Sequence, residues 1–517
     1  MPPSTILLDD FSSTESNRSS RVYENPIFSI TANTAREVDS ALNEIQEANR
    51  RGQYVVSVFN YELGLILQGL QLPDDAYPLL KAWVFDGYSP LSQREATTWL
   101  KKQWEFESNQ STINQDKLSG VCNISLSLDE KEFLIHLEKK RMLAFATKVR
   151  SKKLKGWTGK PITNVIVLGL GGSVLGPKFV IESVDAEFKL TTTTLYFASN
   201  PDGFELKNTL LQSNPEKSLI IIQSKSLTTP ELYLMFSQVK QWFEAHSCPK
   251  FKELNQMAVV TSNIELALKL GFLQDTVFWI PKFVGGRFSV WSSIGLPVAI
   301  AIGRNNYNSF LEGAADMDQH FLLEKASTNI PLLAALIAIW NQNFLKFKTQ
   351  HVATYSSKLD FLIQYIQQLE MESLGKSLKT DGSPCLTETS AIVWGGSGIQ
   401  GQHAYFQLLH QGTSIVPIDF YGLHPSYRVE NRAEKKGHNF LCENLKVQAD
   451  ALAFGDPKNN FPGNRPSSII WLKELSPSSL GGLMSLLEHK VFTMGILWGI
   501  NPFDQPGVEL GKKMLKK

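Results

Sequence analysis

From about residue 160 onward, short β-branched runs closed by glycine or hydroxyl residues alternate with stretches of helical period. Residues 165–168 (VIVL) end in Gly169-Leu170-Gly171-Gly172-Ser173, and a helix opens near Pro177. Residues 219–222 (LIII) end in Gln223-Ser224-Lys225-Ser226. Thr228-Thr229-Pro230-Glu231 then reads as a helix start, with Pro230 near the first position and Glu231 completing a capping box. Residues 258–261 and 277–280 are further short strands, and the pattern returns at 391–394. There a strand runs into Gly395-Gly396-Ser397-Gly398 and a helix through His403 to His410. Strands at 414–420 and 468–472 follow, and residues 478–500 are long, apolar and helical in period. Buried strands alternating with helices predict parallel sheets flanked by helices. The chain before about residue 115 shows helical-looking segments, the clearest at 36–51 with Val38, Leu42 and Ile45 on one face. The polar stretch 303–306 (GRNN) marks a boundary. The expected organisation is therefore an N-terminal helical extension over 1–119 packing on the large domain, a first α/β domain over 120–303, and a second over 304–517 ending in a C-terminal helical arm.

The chain of 517 residues has the length of about three domain-sized units, or of two large ones. Its 43% hydrophobic and 20% charged residues are those of a globular protein and exclude bulk disorder. The formal net charge of +1 argues against a whole-chain role on nucleic acid or a membrane surface, yet leaves room for a local cationic pocket. Cys122, Cys248, Cys385 and Cys442 are far apart, so neither a disulfide framework nor a zinc site is suggested, and a reduced, cytoplasmic compartment fits. The start MPPSTILLDDFSS shows no signal peptide, and the longest apolar run, about 330–340, is short of the roughly 18–20 residues of a membrane helix.

Two turns look able to hold an anion. Gly171-Gly172-Ser173 lets backbone approach a ligand ahead of a helix whose first N–H groups are unpaired. Ser224-Lys225-Ser226 with Thr228-Thr229 puts four hydroxyls and an ammonium at one strand-to-helix turn, which suits a phosphate monoester. The first turn can equally be structural; in the second, Thr228 or Thr229 can be only a cap with the rest solvated, but phosphate binding is the favoured reading. Gly285-Gly286-Arg287 offers close approach and a fixed cation for a developing oxyanion, or merely an Arg pairing with a surface carboxylate. Glu370 and Glu372 lie two apart and would face apart on a helix, with a surface role the default for each. His403, read at a helix start, suits a proton shuttle or a local hydrogen bond. No carboxylate joins His403 and His410, so metal is set aside. Position gives no reason to single out Lys512 within the basic end.

Taken together, the segments VLGLGGSVLGP, SNPDG, QSKSLTTPE, VGGRFSVWSSIGL, QQLEMESLGKS, WGGSGIQGQHAYFQLLHQG, LLEHKVF and NPFDQPGVELGK resemble the phosphoglucose isomerase family, in its order and from about residue 165 to the end. The resemblance implies two SIS-type domains in a homodimer whose active site is shared between subunits. It implies reversible interconversion of D-glucose 6-phosphate and D-fructose 6-phosphate through ring opening and a cis-enediol(ate), in glycolysis and gluconeogenesis, with no metal or organic cofactor and no nucleic-acid or membrane partner. Carried over residue by residue, Glu372 is the base between C1 and C2, and Arg287 stabilises the enediolate. His403, from the partner subunit, and Lys512 assist ring opening. Ser173, Ser224, Lys225, Ser226 and Thr229 match the phosphate and substrate loops, Glu231 and Gln505 further substrate positions, and Gly172 and Gly286 close backbone approach.

The chain departs from the family pattern at Val174 (commonly Asp), Leu374 (Asn), Ser226 (Thr), Ile399 (Thr) and Gln400 (Asn), and Pro230, Pro502 and Pro506 are unusual. None removes a proton-transfer group. A sensor binding sugar phosphates without turnover would need the phosphate turns but not Glu372, His403 or Lys512. Mannose 6-phosphate isomerisation at the same base is open as a side activity.

Overall fold

The computed structural model describes residues 5–8, 16, 18–59, 79–92, 94–96, 98, 128–189, 191–248, 254–508 and 514. The chain divides into two units, Met1–Leu134 and Ile135–Lys517.

The first unit contains the expected helix, α1 (Ala35–Arg50), whose start is fixed by a capping box between Thr34 and Glu37. The backbone N–H of Asn33 also donates to the Glu37 carboxylate at 2.7 Å. The rest differs from a helical extension. Strands β1 (Thr5–Leu8), β2 (Ser20–Glu24), β3 (Phe28–Ala32), β4 (Tyr54–Phe59), β5 (Leu80–Phe85) and β6 (Ser89–Leu91) form two antiparallel three-stranded sheets, ordered β1-β2-β6 and β3-β5-β4. The physical reason is burial: Val38, Ala41 and Ala48 of α1 cover Ile30, Ala32, Leu80, Ala82 and Val84, and helix and sheet together make the core.

In the second unit the repeated strand–turn–helix pattern builds two parallel sheets, each drawn from one continuous stretch of chain. The first comprises β7 (Asn164–Gly169), β8 (Thr194–Ala198), β9 (Ser218–Gln223), β10 (Met257–Thr261) and β11 (Val277–Trp279), in the order β11-β10-β9-β7-β8. All six residues of β9 are buried, as a central parallel strand requires. Full burial of each isoleucine there contributes about 1.5–3 kcal/mol. β7 and β9 are neighbours in register Gly169↔Gln223, so the turns that leave them start side by side at one end of the sheet. That is where ligands of open parallel sheets bind.

The second sheet comprises β12 (Thr349–Thr354), β13 (Ile392–Ser397), β14 (Ile418–Leu423) and β15 (Ser467–Leu472), in the order β13-β12-β14-β15. Residues 303–306 are no linker. They lie inside a long helical element, α7 (Leu296–Leu323), broken only at Gly303, whose φ of 84° suits a residue without Cβ. Arg150 donates to the carbonyls of Ile300 and Ala301 at 2.8 and 2.7 Å, taking up acceptors beside the break. The C-terminal helix α13 (Pro477–Trp498) lies along α7, and Leu480, Met484, Leu487, Val491 and Met494 bury it in the core.

Strand β12 carries a group with a pH signature. His351 is fully buried among Trp394, Tyr405 and Phe406, with neither ring nitrogen hydrogen-bonded. Burial disfavours the imidazolium and pushes the pKa from 6.5 down to about 4. In the pH window between these values the unfolded chain takes up a proton that the folded chain refuses, so stability falls as pH drops from about 6.5 to about 4, by up to about 3 kcal/mol. Denaturant titrations over this window should show the loss, and His351→Leu should flatten it; an unchanged slope in the variant would assign the acid lability elsewhere.

Candidate active site

The first turn runs from β7 into helix α3 (Gly172–Ser183). A methyl group on Gly172 would overlap the backbone of Gly286 and Arg287, so glycine is what lets the two turns touch. On its other side, a Cβ on Gly171 would stand 3.0 Å from the Nε2 of Gln368. Ser173 is half-buried at this helix start.

The second turn runs from β9 into α5 (Pro230–Ala245), with Thr229 as N-cap and Pro230 in the first turn. The expected capping box is absent, because the helix starts at Pro230 and Glu231 falls one position too early to reach back. The hydroxyls organise the turn instead. Ser224 Oγ accepts the N–H of Leu227 at 3.1 Å, and Ser226 Oγ accepts both the N–H (3.3 Å) and the hydroxyl (2.9 Å) of Thr228. Each serine keeps its own O–H for donation. Leu227 is buried with φ 53°, a left-handed conformation that a branched residue adopts only under constraint. The carbonyl of Lys225 is anchored by Ser262 and Thr261. Its ammonium is half-buried, and burial pushes its pKa down, a cost that a bound anion offsets.

Arg287 follows Gly286 in a short 3-10 turn and is 3% exposed. Four of its five guanidinium N–H donors are engaged: Nε donates to Ser373 Oγ at 2.6 Å, one terminal nitrogen to Gln505 Oε1 at 3.0 Å, the other to the carbonyls of Pro502 (2.5 Å) and Asp504 (3.0 Å). The nitrogen that reaches Gln505 also lies 3.6 Å from the Glu372 carboxylate.

Glu370 and Glu372 sit near the end of helix α9 (Asp360–Leu374), and the structure separates their roles. Glu370 is buried and paired at 2.7 Å with Lys490 of α13, each side chain 4% exposed. Tyr365, on the same helix, donates to Glu488 of α13, whose carboxyl burial pushes up to about 8. These contacts pin α9 on α13 and turn Glu372, with its side chain 24% exposed, towards Arg287 and the first turn. Glu372 is therefore the carboxylate with access to solvent beside a buried cation.

His403 is placed differently from the sequence expectation. It caps the C-terminal end of the short helix α10 (Gly398–Gln402), ahead of α11 (Phe406–Gln411), and its side chain is exposed. The glycine-rich segment turns once before the histidine rather than after it. Glu231 is half-buried in the first turn of α5. Lys512 lies outside the described residues. Among the described residues, no group of three or more His, Cys, Asp or Glu is arranged to hold a metal ion.

Two neighbours of Glu372 escaped the sequence reading. Gln368, one turn earlier, donates to Glu372 Oε2 at 2.8 Å, while its own Oε1 is buried without a partner. The i, i+4 spacing of Gln368 and Glu372 in QQLEMES is the signal from which it was available. Lys376 donates to the carbonyls of Glu372 and Ser373 and pairs with Asp504.

A parallel α/β scaffold with two hydroxyl-bearing turns leaving neighbouring strands, one of them touching a carboxylate–guanidinium pair, is an arrangement chemically able to hold a small phosphorylated ligand by its charged end and to move protons beside it. The profile of the phosphoglucose isomerase family matches residues 126–517. The chain is 41% identical over 396 residues to the glucose-6-phosphate isomerase of Paraburkholderia phymatum, covering 73% of this chain and 72% of the relative. It is 42% identical over the same length and coverage to that of Burkholderia lata. The crystal structure of a glucose-6-phosphate isomerase from Chlamydia trachomatis superposes with a TM-score of 0.66 at 34% identity, covering 74% of this chain and 72% of that one. The chain belongs to the phosphoglucose isomerase family.

Proposed function

We propose that this chain reversibly interconverts D-glucose 6-phosphate and D-fructose 6-phosphate, as the names of its relatives state for them. The observation that carries the mechanism is the Glu372 carboxylate 3.6 Å from the buried guanidinium of Arg287. The Ser173 turn and the Ser224–Thr229 turn grip the 6-phosphate through hydroxyls, Lys225 and helix-start N–H groups. Glu372 removes the proton from one of C1 and C2 and returns it to the other, and Gln368 holds the carboxylate by one oxygen, leaving the second for the proton. Arg287 offsets the negative charge that develops on the enediolate oxygen; its proton stays in place, so base and electrostatic partner are distinct. His403 and Lys512 open the sugar ring, and Glu231 and Gln505 complete the substrate contacts.

The active unit is a homodimer in which His403 reaches the partner's site. Its exposed side chain supports this, as does helix α8 (Ile330–Ile339) with the turn after it, which exposes Ile330, Ile337, Trp340 and Phe344 for a second copy to cover. In this reading the two parallel sheets are the cores of the two α/β domains, and the reaction serves glycolysis and gluconeogenesis in the cytoplasm. Among the described residues, no helix is long and apolar enough to cross a membrane. None of the steps named calls for a metal or organic cofactor.

The test is a coupled assay converting fructose 6-phosphate to glucose 6-phosphate with a chelator present. Turnover that persists in chelator is expected; turnover lost on chelation would overturn the metal-free mechanism, and no turnover in either condition the function.

A further inference from the structure

We propose that Lys376 is a positioning residue for this isomerisation: it ties the end of the helix that carries Glu372 to the loop that carries Gln505, and so holds base and cation in one constellation. The inference rests on Glu372 being the base.

Helix α9 ends at Leu374, and its last carbonyls lack partners within the helix. Lys376 folds back over them. Its ammonium donates to the carbonyl of Ser373 at 2.5 Å and of Glu372 at 3.2 Å, where the helix dipole favours a cation. It also pairs with Asp504 Oδ1 at 3.4 Å. Two carbonyls thus accept from the ammonium, and a carboxylate pairs with its charge. Its side chain is only 11% exposed, and the Lys376 carbonyl is itself held by Thr389 Oγ1 at 2.6 Å. With its ammonium turned onto the helix end and Asp504, the lysine acts through its neighbours rather than on the sugar.

The other end of the tether is a segment held almost entirely by side chains. Between α13 and the short 3-10 turn Pro506–Val508 no regular element orders the chain. Arg287 grips it through the carbonyls of Pro502 and Asp504 and the amide of Gln505. Asn501 occupies Asp504 Oδ2 at 3.1 Å, and Lys376 takes Oδ1. Arg287 and Lys376 thus clamp one loop from two sides, and both also reach the end of α9, Arg287 through Ser373 Oγ. Without Lys376, the loop and the helix end would be joined through Arg287, the group that must face the developing charge. A misplacement of about 1 Å at a reacting group costs about 10²-fold in rate.

Lys376→Met is expected to lower kcat about 10- to 100-fold per folded site while KM stays within about threefold. Lys376→Arg should recover part of the loss. Asp504→Asn, which leaves the helix contacts of the lysine in place, should lower kcat in the same direction, and it carries the test if Lys376→Met does not fold. The double variant should be no worse than Lys376→Met alone, because both changes cut one tether. A lysine with a purely structural role would lower the melting temperature and the yield of folded protein but leave kcat per site unchanged, and that result overturns the proposal. Glu372→Gln assayed beside these variants keeps the two readings apart. Wild-type-like kcat in Lys376→Met sinks only the tether, whereas full turnover in Glu372→Gln sinks the assignment of the base.

Discussion

Glu372→Gln should lower kcat by about 10²–10⁴-fold while leaving fructose 6-phosphate binding nearly intact. The amide matches the carboxylate in shape and can still accept from Gln368, so the helix end and the contact that orients it persist. What disappears is a base able to take a weakly acidic C–H proton and hand it to the next carbon. Steady-state kinetics and calorimetric titration separate the two effects, and a variant with full turnover would remove Glu372 from the proton path. The same variant reports on the dimer. Equal mixing with His403→Ala subunits makes hybrids with one intact site each, and about a quarter of wild-type activity should return if the histidine crosses between subunits. Confirmed hybrids without any recovery would confine each site to one chain.

Arg287→Met should be nearly as damaging, for two reasons with different readouts. Loss of a fixed cation at a developing oxyanion costs about 10²–10³-fold in kcat. The substitution also takes the donor from the carbonyls of Pro502 and Asp504 and the amide of Gln505, and at Pro502, which is buried, an unpaired acceptor costs about 1–3 kcal/mol. The loop is therefore expected to loosen and the denaturation midpoint to fall together with kcat. Arg287→Lys keeps the charge but cannot span four acceptors, so it should recover turnover only in part. A methionine variant within threefold of wild-type kcat would show that the guanidinium does not face the reacting oxygens.

How much of this was legible in the sequence depended on how local each determinant was. VIVLGLGGS and LIIIQSKS announced their strands and turns, because a buried parallel strand ending at a helix start leaves a mark within ten residues. Strand β12 was missed because its sequence, TQHVAT, hides a buried strand behind polar residues that only the tertiary structure accommodates: Gln350 bonds Asp419, and His351 sits in an aromatic cluster. The antiparallel strands before residue 92 are three to six residues long, and no turn signal singled them out. Within the site, Glu372 and Arg287 could be named from the family resemblance of their motifs, but spacing alone could not tell Glu370 from Glu372. That choice is made by Lys490, some 120 positions away on another helix. The roles of Lys376 and Asp504 were out of reach for the same reason, since their contact joins segments that only the fold brings together.

The seam between Gly172 and Gly286 has a mechanical meaning. Two backbones in contact with no side chain between them leave no cushion to compress, so in the proposed mechanism a phosphate seated at the Ser173 turn also seats the arginine. Grip on the tail of the sugar is thereby transmitted to its head without a moving part. A phosphate-free sugar would then be penalised in catalytic speed as well as in occupancy.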